Sequence, residues 1–363
     1  MTLSDHVAHF GLEHHESSDD RVKETTLIDD DQWRSRGDLL THEMTHSWNG
    51  KFRRPSGLAT PDFEKPMDGA LLWVYEGLTQ YLGEVLAARS GIWSQEDWHG
   101  RIAMTAAEMD STPGRQWRPL SDTATAAQLL YQARGDRENL RRGVDYYPEG
   151  SLIWMEADTV IRRESQGQRS LDSFVERFYG GPGGKPELKT YTADDLYAAL
   201  TAVQPYDWRG FFQKRIYEIS GSAPLEGIAA GGWRLVFREE PSQFFKSREA
   251  AKKIVDVRYS LGLVLSEDGA VQDVVTGSPS DRAGVPPSAK VVAVNGRQFT
   301  RASLRAAIKS GKNGSEPIEL LAKDGEWYKT YRADCHTGER YPVLERDRAR
   351  PDLLSQIGSP RAH

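Results

Sequence analysis

The segment THEMTHSWNG, residues 41–50, constrains this chain more than any other stretch, because it contains the pattern His-Glu-x-x-His. On a helix, residues four apart lie on one face, so the imidazoles of His42 and His46 can point at the same metal ion. Glu43 would then lie beside that ion. In a chain with 9 histidines the pattern arises by chance on the order of once in a hundred sequences. The rest of the sequence must decide between the two interpretations.

Composition limits the kind of metal site that the chain can build. Cys335 is its single cysteine, which excludes an internal disulfide framework and a cluster of thiolate ligands. A metal ion would therefore need histidine and carboxylate ligands.

Charge and hydropathy exclude two further classes of protein. The 363 residues carry a formal net charge of −6 and show no broad basic stripe, which argues against nucleic-acid binding. No window approaches the roughly eighteen consecutive apolar residues of a membrane span. The start, MTLSDHVAHFGLEHH, lacks the basic and apolar regions of a signal peptide. The compartment stays open, because export remains possible if the natural start lies upstream.

The pattern of apolar residues predicts an α+β chain with three parts. We expect a mainly helical domain over residues 1–248, a small α+β unit over 249–335 and a charged C-terminal tail over 336–363. Within the first part, we expect a helix capped by Asp38, one buried helix from about Gly69 to Gly91, and a helix that begins near Pro148. Thr192 begins a capping-box-like sequence, and the segment 179–185 is a glycine-rich break.

Glu76 is the best candidate for a third metal ligand. Catalytic zinc typically takes three protein ligands, often two histidines and a glutamate, and keeps a fourth position for water. Glu76 is the only charged residue between Gly69 and Gly83, in a segment that otherwise reads as buried. A buried carboxylate is costly unless it is paired or bound to a metal. The alternative is a glutamate on the helix surface that reaches solvent.

Three further residues are candidates for catalysis or binding. Beside a metal, Glu43 would act as a general base, whereas without one it is an ordinary helix glutamate. Tyr147 precedes the helix-starting Pro148 and could donate its hydroxyl to a developing oxyanion, although adjacent tyrosines are more often packing residues. Glu13 lies in an extended stretch and could hold the α-ammonium group of a peptide, although most such glutamates are simply solvated. We do not assign His6, His14 or His15 as ligands.

Four motifs in a fixed order resemble the glycyl aminopeptidase family, whose members are gluzincin metallopeptidases with a thermolysin-like catalytic domain and a C-terminal PDZ domain. The motifs are FGLEHHES, HEMTHSWN with a later RRP, LLWVYEGLTQYL and DYYPEGSLIW. The resemblance implies one Zn²⁺ ion per chain on His42, His46 and Glu76, with Glu43 as general base. It also implies that Glu13 anchors the free amino terminus of a peptide substrate and that Tyr147 stabilises the tetrahedral intermediate. Family members release an N-terminal residue and prefer small ones such as Gly or Ala.

The C-terminal unit resembles a PDZ domain. The motifs LGL (261–263), GSPSDRAGV and VVAVNG carry this likeness. The likeness implies that the backbone N–H groups of Leu261, Gly262 and Leu263 receive the terminal carboxylate of a peptide ligand, which would add a strand to the sheet edge.

The sequence departs from the family pattern in three places. The chain begins close to the GLEH segment, before which family members carry a β-rich region. Glu149 stands where the tyrosine motif is expected to have a lysine, and Ser288-Ala289 replaces the usual Gly-Asp of the PDZ unit.

Three functions follow from these observations. The first is a zinc aminopeptidase that acts on peptides with a free N-terminus. The second is an inactive or truncated homologue that serves as a PDZ peptide-binding module. The third is an endopeptidase, which would be favoured if Glu13 does not face the cleft.

Overall fold

The computed structural model describes residues 1–130, 138–181 and 187–360 of the chain, and within them the fold is α+β, as predicted. Most of the predicted glycine-rich break at 179–185 lies outside the described residues. The first eight helices are α1 (Asp30–Arg36), α2 (Asp38–His46), α3 (Leu72–Tyr75), α4 (Gly77–Arg89), α5 (Gln95–Asp110), α6 (Leu120–Thr125), α7 (Ala127–Leu130) and α8 (Glu138–Arg141). The remaining nine are α9 (Pro148–Glu164), α10 (Leu171–Tyr179), α11 (Ala193–Val203), α12 (Trp208–Phe212), α13 (Glu226–Ala230), α14 (Gln243–Lys252), α15 (Pro279–Arg282), α16 (Arg301–Gly311) and α17 (Leu353–Gly358).

The strands are short and form small sheets. Those of the first 240 residues are β1 (Thr2–Leu3), β2 (Arg21–Val22), β3 (Arg53–Pro55), β4 (Lys189–Tyr191) and β5 (Trp233–Arg238). The others are β6 (Ile254–Val257), β7 (Leu263–Ser266), β8 (Val271–Val274), β9 (Lys290–Val294), β10 (Arg297–Gln298), β11 (Ile318–Asp324), β12 (Trp327–Ala333) and β13 (Tyr341–Arg346). Single-turn 3₁₀ helices lie at Ser56–Leu58 and Pro113–Gln116, and a π turn at Gln213–Tyr217.

A large helical core surrounds α4 and α9, which pack against each other. Trp73, Trp154 and Phe212 are fully buried at its centre, with ring centroids 4.7–5.9 Å apart. Each such aromatic side chain removes a large apolar area from water, about 2 kcal/mol or more of stabilisation per side chain. This core holds α4 and α9 rigidly and thereby fixes the elements that carry the candidate site.

A second hydrophobic cluster extends from Val255 to Cys335. Its strands form two sheets, with the orders β6-β7-β8 and β10-β9-β11-β12, and α16 packs on β9 and β11. Along β11, buried residues alternate with partly exposed ones from Ile318 to Ala322, as expected for a strand with one face on a core.

The C-terminal segment differs from the predicted separate tail over 336–363. Strand β13 pairs with β5 in antiparallel register from Tyr341↔Arg238 to Arg346↔Trp233. Helix α17 buries Leu354 and Ile357 in the large helical core. The chain therefore returns to the first core after the second cluster.

The predicted continuous helix over 69–91 is also wrong in one respect. It is broken into α3 and α4, with Glu76 between them at φ −96° and ψ −43°. Asp38 is the first residue of α2 rather than its cap, which is Gly37. By contrast, Pro148 does begin α9, and Thr192 and Asp195 do form a capping box at the start of α11. Within the described residues, no helix combines the length and apolarity that crossing a lipid bilayer requires.

Candidate metal centre and active site

Three side chains from two helical segments converge on one point. His42 and His46 lie one turn apart on α2, and their Nε2 atoms are 3.1 Å from each other. Oε2 of Glu76 lies 3.4 Å from each of these nitrogens. His42 and His46 are buried, and Glu76 is nearly so. The structure thus brings together the three residues that the sequence nominated as ligands.

Close packing of α2 on α4 creates this convergence. A Cβ atom at Gly83 would come within 2.9 Å of the Cα atom of His42, so only glycine permits the two helices to approach this closely. The Thr41 hydroxyl donates a hydrogen bond to the Gly83 carbonyl at 2.7 Å. Glu76 stands at the start of α4, where the helix break directs its carboxylate towards α2.

Asn49 orients one histidine and ties the two helical segments together. The Nδ1–H group of His46 donates to the backbone carbonyl of Asn49 at 2.9 Å. In the neutral ring, this tautomer leaves a lone pair on Nε2. The buried Asn49 amide donates to the Val74 carbonyl at 2.8 Å and to the Tyr75 carbonyl at 3.2 Å. Sequence reasoning missed Asn49, although its position three residues after His46, directly beyond the helix, was a signal.

The donor set fits a tetrahedral metal ion. Two ligand atoms bound at about 2.1 Å in tetrahedral geometry lie about 3.4 Å apart, which agrees with the spacing of the three donors. Oε2 of Glu76 is buried and makes no hydrogen bond to any described residue. The Nε2 atoms of both histidines and a carboxylate oxygen without a hydrogen bond to any described residue therefore face one small space. Such a cluster is unfavourable by itself and is stabilised by a cation.

The electrostatics of the cluster favour a cation as well. Burial opposes the charged forms of both His46 and Glu76. The charge of Glu76 nevertheless raises the pKa of His46, and the two histidines lower the pKa of Glu76. Both effects show that the site attracts positive charge.

Glu43 is buried next to the cluster. Its Oε2 atom makes no hydrogen bond within the described part of the chain. Burial raises the pKa of Glu43 to about 7, although the two neighbouring histidines oppose this shift. A carboxylate with a pKa near neutrality is suited to accept a proton and to release it again.

An N-terminal hairpin-like segment brings Glu13 to the same place. Bridges between Phe10 and Arg21 and between Glu13 and Ser18 hold the segment in an extended form. A Cβ atom at Gly11 would come within 1.9 Å of Oε1 of Glu43, so the segment passes directly over this side chain. Ligand atoms of Glu13, Glu43 and His46 all lie within 4.8 Å of one another.

Two residues that sequence reasoning did not single out as functional hold the Glu13 carboxylate. The Tyr75 hydroxyl donates to Oε1 of Glu13 at 2.5 Å, and the Lys51 ammonium lies 3.5 Å from the same oxygen. Burial works to raise the pKa of Glu13, but the charge of His46, the Tyr75 hydrogen bond and Lys51 together lower it. Glu13 is therefore held as an anion next to Glu43 and His46.

Tyr147 lies beside His42. It immediately precedes α9, and its ring centroid is 6.1 Å from that of His42 at an interplanar angle of 28°. Tyr146, by contrast, is buried in the helical core. Tyr147, His42 and Glu43 line one cavity of about 450 Å³. The tyrosine next to the cavity is thus the residue that the sequence proposed.

Comparisons with known proteins bear on the family and on the fold. Residues 36–153 match the model of the M61 glycyl aminopeptidase family. This match covers about a third of the chain and supports an assignment to the glycyl aminopeptidase family. The matched range contains His42, Glu43, His46, Glu76 and Tyr147, whereas Glu13 and the C-terminal unit lie outside it.

A solved structure shares the fold. It is that of an aminopeptidase N family protein from Idiomarina loihiensis, with a TM-score of 0.76 and 20% sequence identity. The similarity covers 97% of this chain, and the chain spans 60% of the length of that protein. At this identity the likeness bears on the fold alone. A search of curated proteins finds no match.

Glu149, which stands in place of the lysine expected in the family, is neutralised by two arginines. It is buried, and both Arg115 and Arg142 donate to its Oε2 atom, the latter at 2.6 Å. Arg142 also binds Asp145 at 2.7 Å. The charge of Glu149 is therefore compensated within the core behind Tyr147 and does not face the cavity.

In the C-terminal unit, the loop Leu261–Leu263 makes hydrogen bonds within the chain. The N–H groups of Leu261 and Gly262 both donate to the Val257 carbonyl, at 2.9 and 3.1 Å. Strand β6 pairs along the whole of β7, from Val257↔Leu263 to Ile254↔Ser266. The donors and the strand edge that a peptide would use are thus occupied by the chain itself.

The Ser288-Ala289 turn is made without a glycine. The Ala289 N–H group donates to the Pro286 carbonyl at 3.1 Å, and the Val271 N–H group donates to the Ala289 carbonyl at 2.8 Å. A tight turn closed by Pro286 therefore replaces the usual pair of residues.

Proposed function

We propose that this protein is a zinc-dependent aminopeptidase that removes small N-terminal residues, such as Gly or Ala, from peptides. The observation that carries the proposal is the convergence of His42, His46 and Glu76 on one point, with the unpaired Glu43 carboxylate and the Glu13 carboxylate beside it.

The three converging residues would hold one Zn²⁺ ion. A bound zinc ion supplies Lewis-acid chemistry, since it polarises a carbonyl group and makes water acidic near neutral pH. The remaining steps depend on side chains of this chain.

Glu43 is the general base. It accepts a proton from the water molecule whose oxygen attacks the peptide carbonyl carbon. It then delivers this proton to the amide nitrogen, so that the C–N bond breaks and a neutral amine leaves. Burial gives Glu43 a pKa of about 7, which suits both transfers near neutral pH.

Tyr147 would stabilise the negative charge that develops on the carbonyl oxygen. Its position beside His42, in the lining of the same cavity as Glu43, supports this role. A hydroxyl donor aimed at an oxyanion contributes a factor of about a hundred or more in turnover.

Glu13 would bind the α-ammonium group of the substrate. Its anionic state and its position within 4.8 Å of Glu43 and His46 support this role. Because ligand atoms of Glu13 and Glu43 lie within 4.8 Å of each other, the space between an anchored ammonium group and the attacked carbonyl spans a single residue, and the preference for Gly or Ala rests on the resemblance to the family. This spacing supports an exopeptidase over an endopeptidase.

The alternative of a PDZ peptide-binding module has weaker support. Its carboxylate-binding loop donates to the Val257 carbonyl, whereas the residues of the candidate metal centre are all present.

The test combines metal content with turnover. We expect one zinc ion per chain after dialysis, and chelator-sensitive release of p-nitroaniline from glycyl- and alanyl-p-nitroanilide. Glu43→Gln should keep the zinc ion and lose turnover. Glu13→Gln should raise KM strongly, while Glu16→Gln, an exposed glutamate in the same segment, should not.

Three results would overturn parts of the proposal. Folded protein without zinc would exclude the metal centre, and retained turnover in Glu43→Gln would exclude the base. Equal cleavage of free and N-acetylated alanyl peptides would replace the aminopeptidase by an endopeptidase.

A further inference from the structure

The active-site cavity adjoins a second, larger cavity that is rich in positive charge. The second cavity has a volume of about 720 Å³ and lies between the helical core and the C-terminal unit. Four cationic residues line both cavities: Arg36, Arg101, Arg248 and Lys252. Arg258 lines the second cavity as well. We call these five residues the cationic wall. A peptide that extends from the site in this direction would pass along it.

Part of this charge is neutralised by neighbouring carboxylates. Arg101 binds Glu84 at 2.8 Å. Arg248 and Arg258 share Glu108, each at 2.9 Å, and Arg258 also binds Asp256. A single carboxylate, Glu108, therefore serves two guanidinium groups.

Two cations of the wall have no such partner. The side chains of Arg36 and Lys252 form no hydrogen bond and no ion pair within 4.0 Å with any residue that the structure describes, and both residues are exposed. Like charge from Arg248, together with partial burial, lowers the pKa of Lys252 to about 8. This shift reflects the crowding of positive charge, which an incoming anion would relieve.

Three of the acidic residues that line these cavities are engaged elsewhere. Asp145 accepts from Arg142 at 2.7 Å, and Asp273 accepts from the Asn139 amide at 2.6 Å. Asp38 accepts from the Gln80 amide at 3.1 Å and lies 3.9 Å from Arg101. None of the three lies within 4.0 Å of Arg36 or Lys252 as an ion pair in the described structure.

The position of the wall relative to Glu13 indicates which part of a substrate it meets. Glu13 does not line either cavity, whereas Glu43 and Tyr147 line the first together with Arg36, Arg248 and Lys252. An amino terminus held at Glu13 therefore places the attacked bond at Glu43 and the following residues beside the cations.

We propose that Arg36, Arg248 and Lys252 bind a carboxylate of the substrate on the leaving-group side of the cleaved bond. The proposal rests on the aminopeptidase function proposed above. The carboxylate can belong to an aspartate or glutamate side chain of a longer peptide, or to the C-terminus of a short one. In either case the protein selects peptides that carry negative charge shortly after a small first residue.

The first experiment compares kcat/KM for four matched peptides: Gly-Ala-Glu-Ala-amide, Gly-Ala-Gln-Ala-amide, and the tripeptide Gly-Ala-Ala as free acid and as amide. We expect the charged member of at least one pair to be preferred about three- to tenfold at low salt, and the preference to fall as salt screens the charges. A preference in the first pair identifies a side-chain carboxylate, and one in the second pair identifies the C-terminus.

Variants assign the preference to the wall. Lys252→Gln and Arg36→Gln should bring the ratio of charged to neutral peptide towards one. Lys246→Gln is the matched control, because this exposed lysine lies on α14 with Lys252 but does not line either cavity. A ratio of one in the unmodified protein, or a ratio that Lys252→Gln and Arg36→Gln leave unchanged, overturns the proposal.

A binding measurement separates this inference from the proposed function. The same peptides, unlabelled and with the amino terminus free, are titrated into the inactive Glu43→Gln variant by isothermal titration calorimetry. If no peptide is hydrolysed by the unmodified protein, the aminopeptidase function fails, and the binding arm still decides the carboxylate site. Equal affinity for the charged and neutral members of both pairs would then reject the site.

Discussion

Gly77 and Gly150 touch where α4 crosses α9. A Cβ atom at Gly150 would lie 2.7 Å from the Cα atom of Gly77, and one at Gly77 would lie 2.9 Å from the Cα atom of Gly150. Gly77 directly follows Glu76, and Gly150 lies three residues after Tyr147. The contact between the two glycines therefore sets the distance between Tyr147 and the metal centre.

Gly150→Ala should separate the two helices. Backbone atoms cannot rotate away from the added methyl group, so we expect overpacking to cost about 1–3 kcal/mol of unfolding free energy. The higher helix propensity of alanine, about 1 kcal/mol, offsets part of this cost. We also expect kcat to fall, because Tyr147 moves relative to Glu76. Denaturant unfolding and steady-state kinetics measure the two effects.

Gly221→Ala is the matched control for this substitution. A Cβ atom at Gly221 meets nothing within 4 Å, so its stability and turnover should equal those of the unmodified protein. If Gly150→Ala behaved like this control, the glycine contact would not determine the geometry of the site.

Asn49→Ala should weaken the metal centre without removing a ligand. The substitution leaves the buried carbonyls of Val74 and Tyr75 without their amide donor, which we expect to cost about 1–3 kcal/mol of unfolding free energy. It also loosens the carbonyl that orients His46, so zinc affinity should fall about 10- to 100-fold. Competition with a chromogenic chelator measures the affinity.

Asn313→Ala, at an exposed turn, provides the comparison. Zinc affinity in Asn49→Ala equal to that in Asn313→Ala would show that the Asn49 amide has no part in holding the site.

Local sequence patterns predicted the elements of the site, whereas contacts between distant residues did not appear in the sequence. The spacing of His42 and His46 places both on one helical face. The fixed φ of Pro148 suits the first turn of a helix, which is where it lies in α9. The break at Glu76 was missed because apolar residues continue on both sides of it, so that hydrophobicity alone predicts one helix. At the break, the Asn49 amide donates hydrogen bonds to the Val74 and Tyr75 carbonyls, contacts that no local pattern predicts.

Two further differences also have non-local causes. Strand β13 pairs with β5 across roughly a hundred residues, and neither strand carries a local sign of its partner. Glu149 looks like a charge near the oxyanion site, but Arg115 and Arg142 reach it through the fold and neutralise it. Pairings of this kind follow from the packing of the whole core.

His99 should make the protein less stable in mild acid. Its ring lies 4.1 Å from that of Trp233, and burial lowers its pKa to about 4, although the charge of Asp352 opposes this. An unfolded histidine has a pKa of about 6.5, so between pH 6.5 and 4 the unfolded state binds more protons than the folded state. The stability that neutral His99 provides is therefore present above pH 6.5 and is lost as the pH falls towards 4.

His99→Gln tests this assignment. We expect the unmodified protein to lose up to about 1.4 kcal/mol of unfolding free energy per pH unit in this range because of His99, and the variant to lack that part of the slope. Urea unfolding at pH 5.0 and 7.5 measures the difference. Identical pH dependence of the two proteins would show that His99 does not contribute to it.

The PDZ-like unit should not bind C-terminal peptides through its 261–263 loop. Strand β6 lies where an added peptide strand would pair, and the Val257 carbonyl accepts from the N–H groups that would meet the carboxylate. We expect labelled peptides with a free C-terminal carboxylate to bind no more tightly than their amidated forms in fluorescence polarisation.

Hydrogen exchange supplies an independent measurement of the same contact. The amide protons of Leu261 and Gly262 should exchange slowly, as donors in internal hydrogen bonds do, and peptide addition should not change their rates. Fast exchange together with micromolar, carboxylate-dependent binding would mean that β6 leaves β7 readily. Slow exchange without binding would mean that β6 stays paired with β7 in place of a peptide strand. The unit would then line the second cavity, through Val264, Gln272 and Asp273, rather than act as a peptide receptor.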